Sequence, residues 1–339
     1  MTESDDLLDC LVIGAGPAGL TAATYLVRFH RRIAVIDAGH SRARWIPTSH
    51  NCPGFPFGVA GTELLDKLRT QAQGYGAPIM PAGVQTLRRE PAGHDAGVGE
   101  VFIAADDGGR QWRARTVLLA TGIVDRMPTL HGGDDALETA IADGKVRLCA
   151  VCDGYEASDE AIAVYGPADQ AIHHGLFLRT FSRRVTAIRS EPGEPSAVNT
   201  QLAAAARIVL LPVPARLQQS GRGCTVTLDD GSTHAFDTVY PVLGGDAQAQ
   251  LATGLGARVD DAGELVADAA MQTSVDGLYA VGDVVSALNQ ISVAVGHAAI
   301  AASAIHRRLP PNYREDEASQ PASAPDAPAP EVARPPSLT

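Results

Sequence analysis

Residues 9–20 read DCLVIGAGPAGL, an apolar run that breaks into three closely spaced glycines. Leu11, Val12 and Ile13 in succession, bounded by glycine, predict a parallel strand buried on both faces. Gly14, Gly16 and Gly19 spell G-x-G-x-x-G around Ala15, Pro17 and Ala18, and the Ala/Leu-rich stretch to about Phe29 predicts a helix. In such a strand–turn–helix unit the first glycine permits the tight turn and the second lets the backbone approach a pyrophosphate. The third lets helix and strand pack closely, and the helix N-terminus faces the phosphates. The next strand, RIAVIDAG, ends in Asp37, 18 residues beyond Gly19, where an acid accepts ribose hydroxyls. The opening of the chain therefore predicts an α/β unit that binds a dinucleotide.

The same pattern returns about 150 residues later, where EAIAVYGPADQA leads into a helix and then a strand, RRVTAIRS. RTVLLATG (115–122) and FDTVYPVLGG (236–245) read as matching strands that run into glycine turns, and GLYAVGDV (277–284) as a further one. The predicted fold class is α/β, with two Rossmann-like nucleotide-binding domains. The first is discontinuous, over residues 1–122 and 244–309, and the second is inserted between its halves at 123–243. Residues 310–339, rich in proline and alanine and without periodicity, predict a disordered tail.

With 339 residues and 45% hydrophobic content the chain has ample material for two cores. A formal net charge of -12 excludes nucleic acid and anionic membranes as main partners. No run of 18 apolar residues occurs, and no basic segment precedes an apolar one at the N-terminus. The reading is a cytoplasmic protein without signal peptide or transmembrane span.

Of five cysteines, Cys149 and Cys152 form a C-x-x-C in RLCAVCDGYE (147–156). Such a pair holds half a zinc site, cycles as a redox disulfide, or fills a core. A helix starting there would stabilise a thiolate through its dipole. Asp153 reads as an acid/base or as a helix cap, and Asp283 as a cap or as a partner for a ribityl chain. Cys10 reads as an apolar filler, Cys224 as a strand residue, and Cys52 as a loop thiol.

GAGPAG (14–19), HNCPGF (50–55), ATG (120–122), CAVCDGY (149–155) and TSVDGLYAVGDV (273–284) together resemble the low-molecular-weight thioredoxin reductases, flavoprotein disulfide oxidoreductases, in order and spacing over residues 7–309. The resemblance implies FAD in the discontinuous domain, a redox disulfide on the inserted one, and a homodimer. It puts Asn51 and Gln290 near the flavin ring, Asp283 by its ribityl and phosphate groups, and Ala120, Thr121, Gly122, Gly282 and Ile291 along the cofactor. By the same analogy Cys152 faces the flavin, Cys149 exchanges with substrate, and Asp153 moves the proton. A zinc site lacks a second pair of ligands, and the metal expectation is none.

The second loop departs from that family. Gly166-Pro167-Ala168-Asp169-Gln170-Ala171 has a methyl where backbone should approach a pyrophosphate, and an acid beside it. Where the family has a His and two arginines for a 2′-phosphate, this chain has Arg189-Ser190-Glu191-Pro192. That pattern disfavours NADPH, while Glu191 sits where an NADH fold has its ribose acid, so NAD(P)H is not a firm expectation. The degenerate loop is similar to the dithiol oxidases that close disulfides in gliotoxin- and holomycin-type products. The favoured reading is oxidation of a small-molecule dithiol with O2 as acceptor. The alternatives are an NAD(P)H- or ferredoxin-dependent reductase of a thioredoxin-like protein, and a flavin-binding redox sensor or interaction protein. In the oxidative direction a histidine near the disulfide would take the thiol proton. His297 is the first candidate and His50 the second, while the adjacent His173 and His174 point apart on a helix.

Overall fold

The computed structural model describes residues 7–92, 99–221, 223–285 and 288–314. Its first sheet is built around β1 (Leu7–Ile13), whose alternate side chains serve two cores. Cys10 and Val12 enter one apolar cluster, and Leu11 and Ile13 enter the other, as the two-residue period of a strand requires. After the glycine turn comes α1 (Pro17–Arg28), which starts on a proline, the residue best suited to a first helical position. Next are β2 (Ile33–Asp37), α2 (Gly61–Gly74), β3 (Ile79–Pro81), β4 (Val84–Pro91), β5 (Glu100–Asp106) and β6 (Gln111–Leu119). The strand order is β3-β2-β1-β6-β5-β4, parallel from β3 to β6 and antiparallel beyond.

The chain then crosses to a second unit through β7 (Ile123–Asp125), followed by α3 (Asp134–Ala142) and α4 (Ala150–Asp153). Here β8 (Ala161–Gly166), α5 (Ala168–Leu178), β9 (Arg184–Arg189), α6 (Ala197–Ala206) and β10 (Val209–Leu211) repeat the alternating pattern. A small antiparallel sheet of β11 (Arg216–Ser220), β12 (Gly223–Thr227) and β13 (Thr233–Phe236) follows, then β14 (Thr238–Pro241). The parallel sheet here has the order β10-β9-β8-β14. Ala163 of β8 faces one core of this unit, and Ile162 and Val164 face the other.

The return strand β15 (Gly245–Ala247) pairs antiparallel with β7, so the outgoing and incoming connections form one two-stranded ribbon. After α7 (Gln250–Thr253), β16 (Leu278–Ala280) rejoins the first sheet parallel to the last residues of β6. Finally α8 (Ile291–Arg308) lies against α1 through alanines from both helices, including Ala22, Ala23, Ala298, Ala301 and Ala302. This is the predicted α/β class with two parallel-sheet units.

Among the described residues, no helix is long and apolar enough to cross a membrane. The first residues of the predicted tail are tied down. Arg31 donates to the Pro310 carbonyl at 2.8 Å, and Asn312 donates to the Phe29 carbonyl at 2.8 Å. Residues 315–339 of that prediction lie outside the described residues.

Candidate active site

A cavity of about 580 Å³ opens where β1, β2 and β6 end, the usual ligand crevice of an open α/β sheet. Its wall carries Gly14, Gly16, Pro17 and Ala18 of the first glycine loop, with Asp37 at the end of β2. Ala120, Thr121 and Gly122 lie beyond β6, Gly282 and Asp283 beyond β16, and Asn51, Gln290 and Ile291 complete the predicted set. Gly19 is not on the wall. A Cβ there would lie 1.9 Å from the Gly14 carbonyl oxygen, so its role is close helix–strand packing. Gly14 itself has φ +103°, and a Cβ on it would lie 2.4 Å from the Ala120 oxygen, so only glycine makes this turn.

The residues present fit FAD. At the start of α1 the N-cap is Gly16, without a side-chain cap or an acid in the first turn, so the uncapped amide end suits a diphosphate. Asp37 is held at its strand end by the Ala15 amide at 3.0 Å and by Arg69 at 3.2 Å. Asn289 Oδ1, also on the wall, is buried without a hydrogen-bond partner. FAD bound here supplies a two-electron carrier next to the disulfide.

At the far end of the cavity Cys149 and Cys152 are joined as a disulfide. Cys149 is the N-cap of α4, and its sulfur accepts from the Cys152 amide at 3.2 Å. This helix has only four residues, so the field at its start is that of a few peptide units, weaker than a full helix would supply. The sulfurs have a second polar neighbour instead. Gln290 Nε2 lies 3.3 Å from each of them, and Asn51 Nδ2 donates to Gln290 Oε1 at 2.9 Å. Asn51 in turn takes a hydrogen bond from Ser49 at 3.2 Å. The chain Ser49–Asn51–Gln290 thus aims an amide N–H pair at the disulfide.

Asp153 is the last residue of α4 and also lines the cavity. Burial pushes its carboxyl up to about 6, against the opposing pull of Arg147, at 3.6 Å, and of the Tyr240 hydroxyl. A carboxyl poised there can hold or release a proton near neutral pH. Arg147 Nε is itself buried without a partner. Tyr240 carries no sequence signal of its own, because it is 87 residues from Asp153 and is brought to it by the β14–β8 pairing.

Arg42 is a further residue the motifs missed. Its guanidinium takes Asp125 of β7 at 2.6 Å and approaches Asp283 to 3.7 Å, linking the connecting ribbon to the cavity wall. Burial and the nearby Asp125 push the Asp283 carboxyl up, and Arg42 counters them.

His297 and His50 fall elsewhere. His297 is on α8, but the cavity wall on that helix ends at Ala294. Its Nδ1 is buried without a partner, and desolvation lowers its pKa. His50 lies 4.0 Å from Glu156 and is not on the cavity wall. Cys52 packs with Val59 and Leu64, and burial pushes its thiol up. Cys10 and Cys224 are buried in β1 and β12, their thiols pushed up to about 12 and about 11.

The second glycine loop has a different geometry from the first. At the start of α5, where a pyrophosphate would sit, the Asp169 carboxylate accepts from the Ser196 amide at 2.8 Å. Hydrogen bonds from Asn199 and from the Ser196 amide hold its pKa below the ordinary carboxylate value. Arg189, the cation at the end of β9, is tied to Glu194 at 2.7 Å and to the Gly193 carbonyl at 2.8 Å. An acid in the first turn of α5 and a paired Arg189 disfavour a phosphorylated nicotinamide dinucleotide at this loop.

The family model for pyridine nucleotide-disulphide oxidoreductases matches residues 8–298. The chain is 30% identical to a thioredoxin reductase of Mycolicibacterium smegmatis, over 89% of this chain and 96% of that protein. A thioredoxin reductase of Streptomyces clavuligerus is 28% identical, over 94% and 99%. Among solved structures, HlmI superposes with a TM-score of 0.80 at 29% identity, covering 91% of this chain and 93% of that one. Thioredoxin reductase from Streptococcus pyogenes gives 0.79 at 26% identity, covering 89% and 98%. With its disulfide at the end of a cavity that fits FAD, the chain belongs to the pyridine nucleotide-disulphide oxidoreductase family, as an FAD-dependent disulfide oxidoreductase of the thioredoxin reductase-like kind.

Proposed function

We propose that this enzyme oxidises a small-molecule dithiol to a disulfide and returns the electrons to O2. The observation that carries the reading is Asp169: a carboxylate held at the start of α5 repels the diphosphate on which NAD(P)H would depend. In this reading the electrons enter from the thiol side. One substrate thiolate attacks Cys149, the Cys149–Cys152 bond breaks, and Cys152 leaves as a thiolate. The second substrate thiol loses its proton and attacks the substrate sulfur of the mixed disulfide, which frees Cys149 and closes the product. Two protons and two electrons pass from the substrate to the cysteine pair; FAD held by the first glycine loop would supply the two-electron carrier between that pair and O2, the overall products being the substrate disulfide and peroxide. Asp153 takes up and returns a proton at the cysteine pair, and Gln290 steadies the thiolate. In this reading the FAD sits against residues of 1–122 and 244–309, the unit 123–243 carries the disulfide, and the enzyme is a cytoplasmic homodimer.

The second reading, reduction of a thioredoxin-like protein, is supported by the names of the relatives in Mycolicibacterium and Streptomyces. Anaerobic mixing separates the two. Bleaching of the flavin absorbance by a dithiol, reversed by air with release of peroxide, supports oxidation. Rapid bleaching by micromolar NADPH or NADH would sink it.

A further inference from the structure

A second cleft, of about 550 Å³, meets the disulfide from the side of the second unit. Its walls come from α5, the end of β14, the β7–β15 ribbon and the segment 288–290. Cys149 is on this wall and Cys152 is not, whereas the larger cavity that fits FAD has both. The two sulfurs are therefore inequivalent. With FAD in the larger cavity, the open approach to the disulfide is through the smaller cleft, and it ends on Cys149.

At about 550 Å³ the cleft is within the size range of small-molecule sites. Gly166, Pro167 and Ala168 of the degenerate loop are not on its wall, so it is not a displaced nucleotide pocket. Phe177, Leu288 and Val151 line it while 44%, 51% and 51% exposed, an apolar surface that a compact ring system would cover. Its two guanidinium groups are already held by carboxylates, Arg42 by Asp125 and Arg126 by Asp246. Glu264 adds a further negative group. An anionic thiol finds neither guanidinium free. His174 is also on the wall of the cleft. His174 Nδ1 lies 3.0 Å from the Gln170 carbonyl, which can only accept, so Nε2 is left as the acceptor nitrogen of the uncharged ring.

We propose that this cleft is the substrate site and that its occupant is a compact, uncharged or cationic dithiol that attacks Cys149. The inference rests on the dithiol-oxidation reading. The exchange balances within the site: two substrate S–H bonds and the Cys149–Cys152 bond are exchanged for one substrate disulfide and two cysteine thiols.

Two measurements on the FAD-loaded enzyme test it. After reduction, a maleimide should label Cys149 at least tenfold faster than Cys152 by peptide mapping, and His173→Trp, which narrows the cleft, should slow that labelling about tenfold with the flavin spectrum unchanged. Anaerobically, dithiothreitol should bleach the oxidised flavin with saturation, reduced glutathione should not, and Phe177→Ala should raise the half-saturating concentration of an aromatic dithiol about tenfold. Equal labelling of both cysteines, or no effect of His173→Trp, would overturn the cleft even if dithiols bleach the flavin. Labelling through the cleft without bleaching by any dithiol would overturn the oxidation reading, and the dithiol occupant with it.

Discussion

The Tyr240 hydroxyl donates to Asp153 Oδ1 at 3.0 Å and lies 3.2 Å from the backbone carbonyl of the same residue. It reaches from β14, buried in the second unit, to the last residue of the helix that begins at Cys149. Asp153 is thereby set between Tyr240 and Arg147, with Glu156 as the opposing negative neighbour. The hydrogen bond and the guanidinium favour the charged carboxylate, and burial opposes them.

Tyr240→Phe removes a donor that favours the carboxylate, so the Asp153 pKa must rise. The limb of the pH–rate profile that reports it, near about 6 in the parent, should move to higher pH. The shift should be about one unit, the worth of one hydrogen bond to a charged group. Arg147→Met should move it the same way. Profiles measured from pH 4.5 to 8.5 check this, and an unmoved limb would remove Asp153 from the proton path.

Asp153→Asn should trade activity for stability, and only above a definite pH. A carboxyl raised from its ordinary 3.8 to about 6 costs the folded state nothing below the lower value. Between the two values the cost grows, and above about 6 it is full, up to about 3 kcal/mol for roughly two units. The Asn variant should therefore gain melting temperature relative to the parent as pH rises from 4 to 7. Arg147, deprived of its partner, offsets part of the gain, so the slope against pH is the diagnostic quantity.

Gln290→Ala should slow the thiol steps while leaving the flavin bound. The amide lies 3.3 Å from both sulfurs, and a hydrogen bond to a charged acceptor contributes roughly 1.5–3 kcal/mol. Loss of about tenfold or more in turnover is expected, with a raised thiolate pKa in the reduced pair. Iodoacetamide alkylation of the reduced protein as a function of pH reads that shift directly.

Gly14→Ala should cost about 3 kcal/mol or more, because the new methyl meets the Ala120 carbonyl in a backbone region closed to L-residues. The expected result is a large fall in melting temperature and loss of bound flavin. Gly39→Ala is the control: its φ is positive too, but a Cβ there meets nothing within 4 Å.

The first glycine loop, Asp37, the disulfide pair and the G-D turn were legible because each is a local device. A turn that excludes Cβ atoms, an acid at a strand end and two thiols three residues apart are written in contiguous residues, and the first sheet's register then carries them to one crevice. His297 shows the limit of that reasoning. It lies seven residues beyond Gln290 on α8, yet the wall of the site ends at Ala294. The helix dipole at Cys149 is a second limit, since a helix start is visible in sequence and a four-residue length is not.

By itself, then, the sequence determined the α/β class, the FAD-type loop and the presence of a flavin-coupled cysteine pair. Tertiary structure alone decided what surrounds that pair: Gln290 on both sulfurs, Tyr240 and Arg147 on Asp153, and a second cleft that reaches Cys149 and not Cys152. These neighbours come from strands and helices up to 141 residues apart in the chain. Turn geometry and strand patterning are set over short stretches of chain and leave motifs, whereas hydrogen bonds, burial and access at the disulfide depend on which elements pack together.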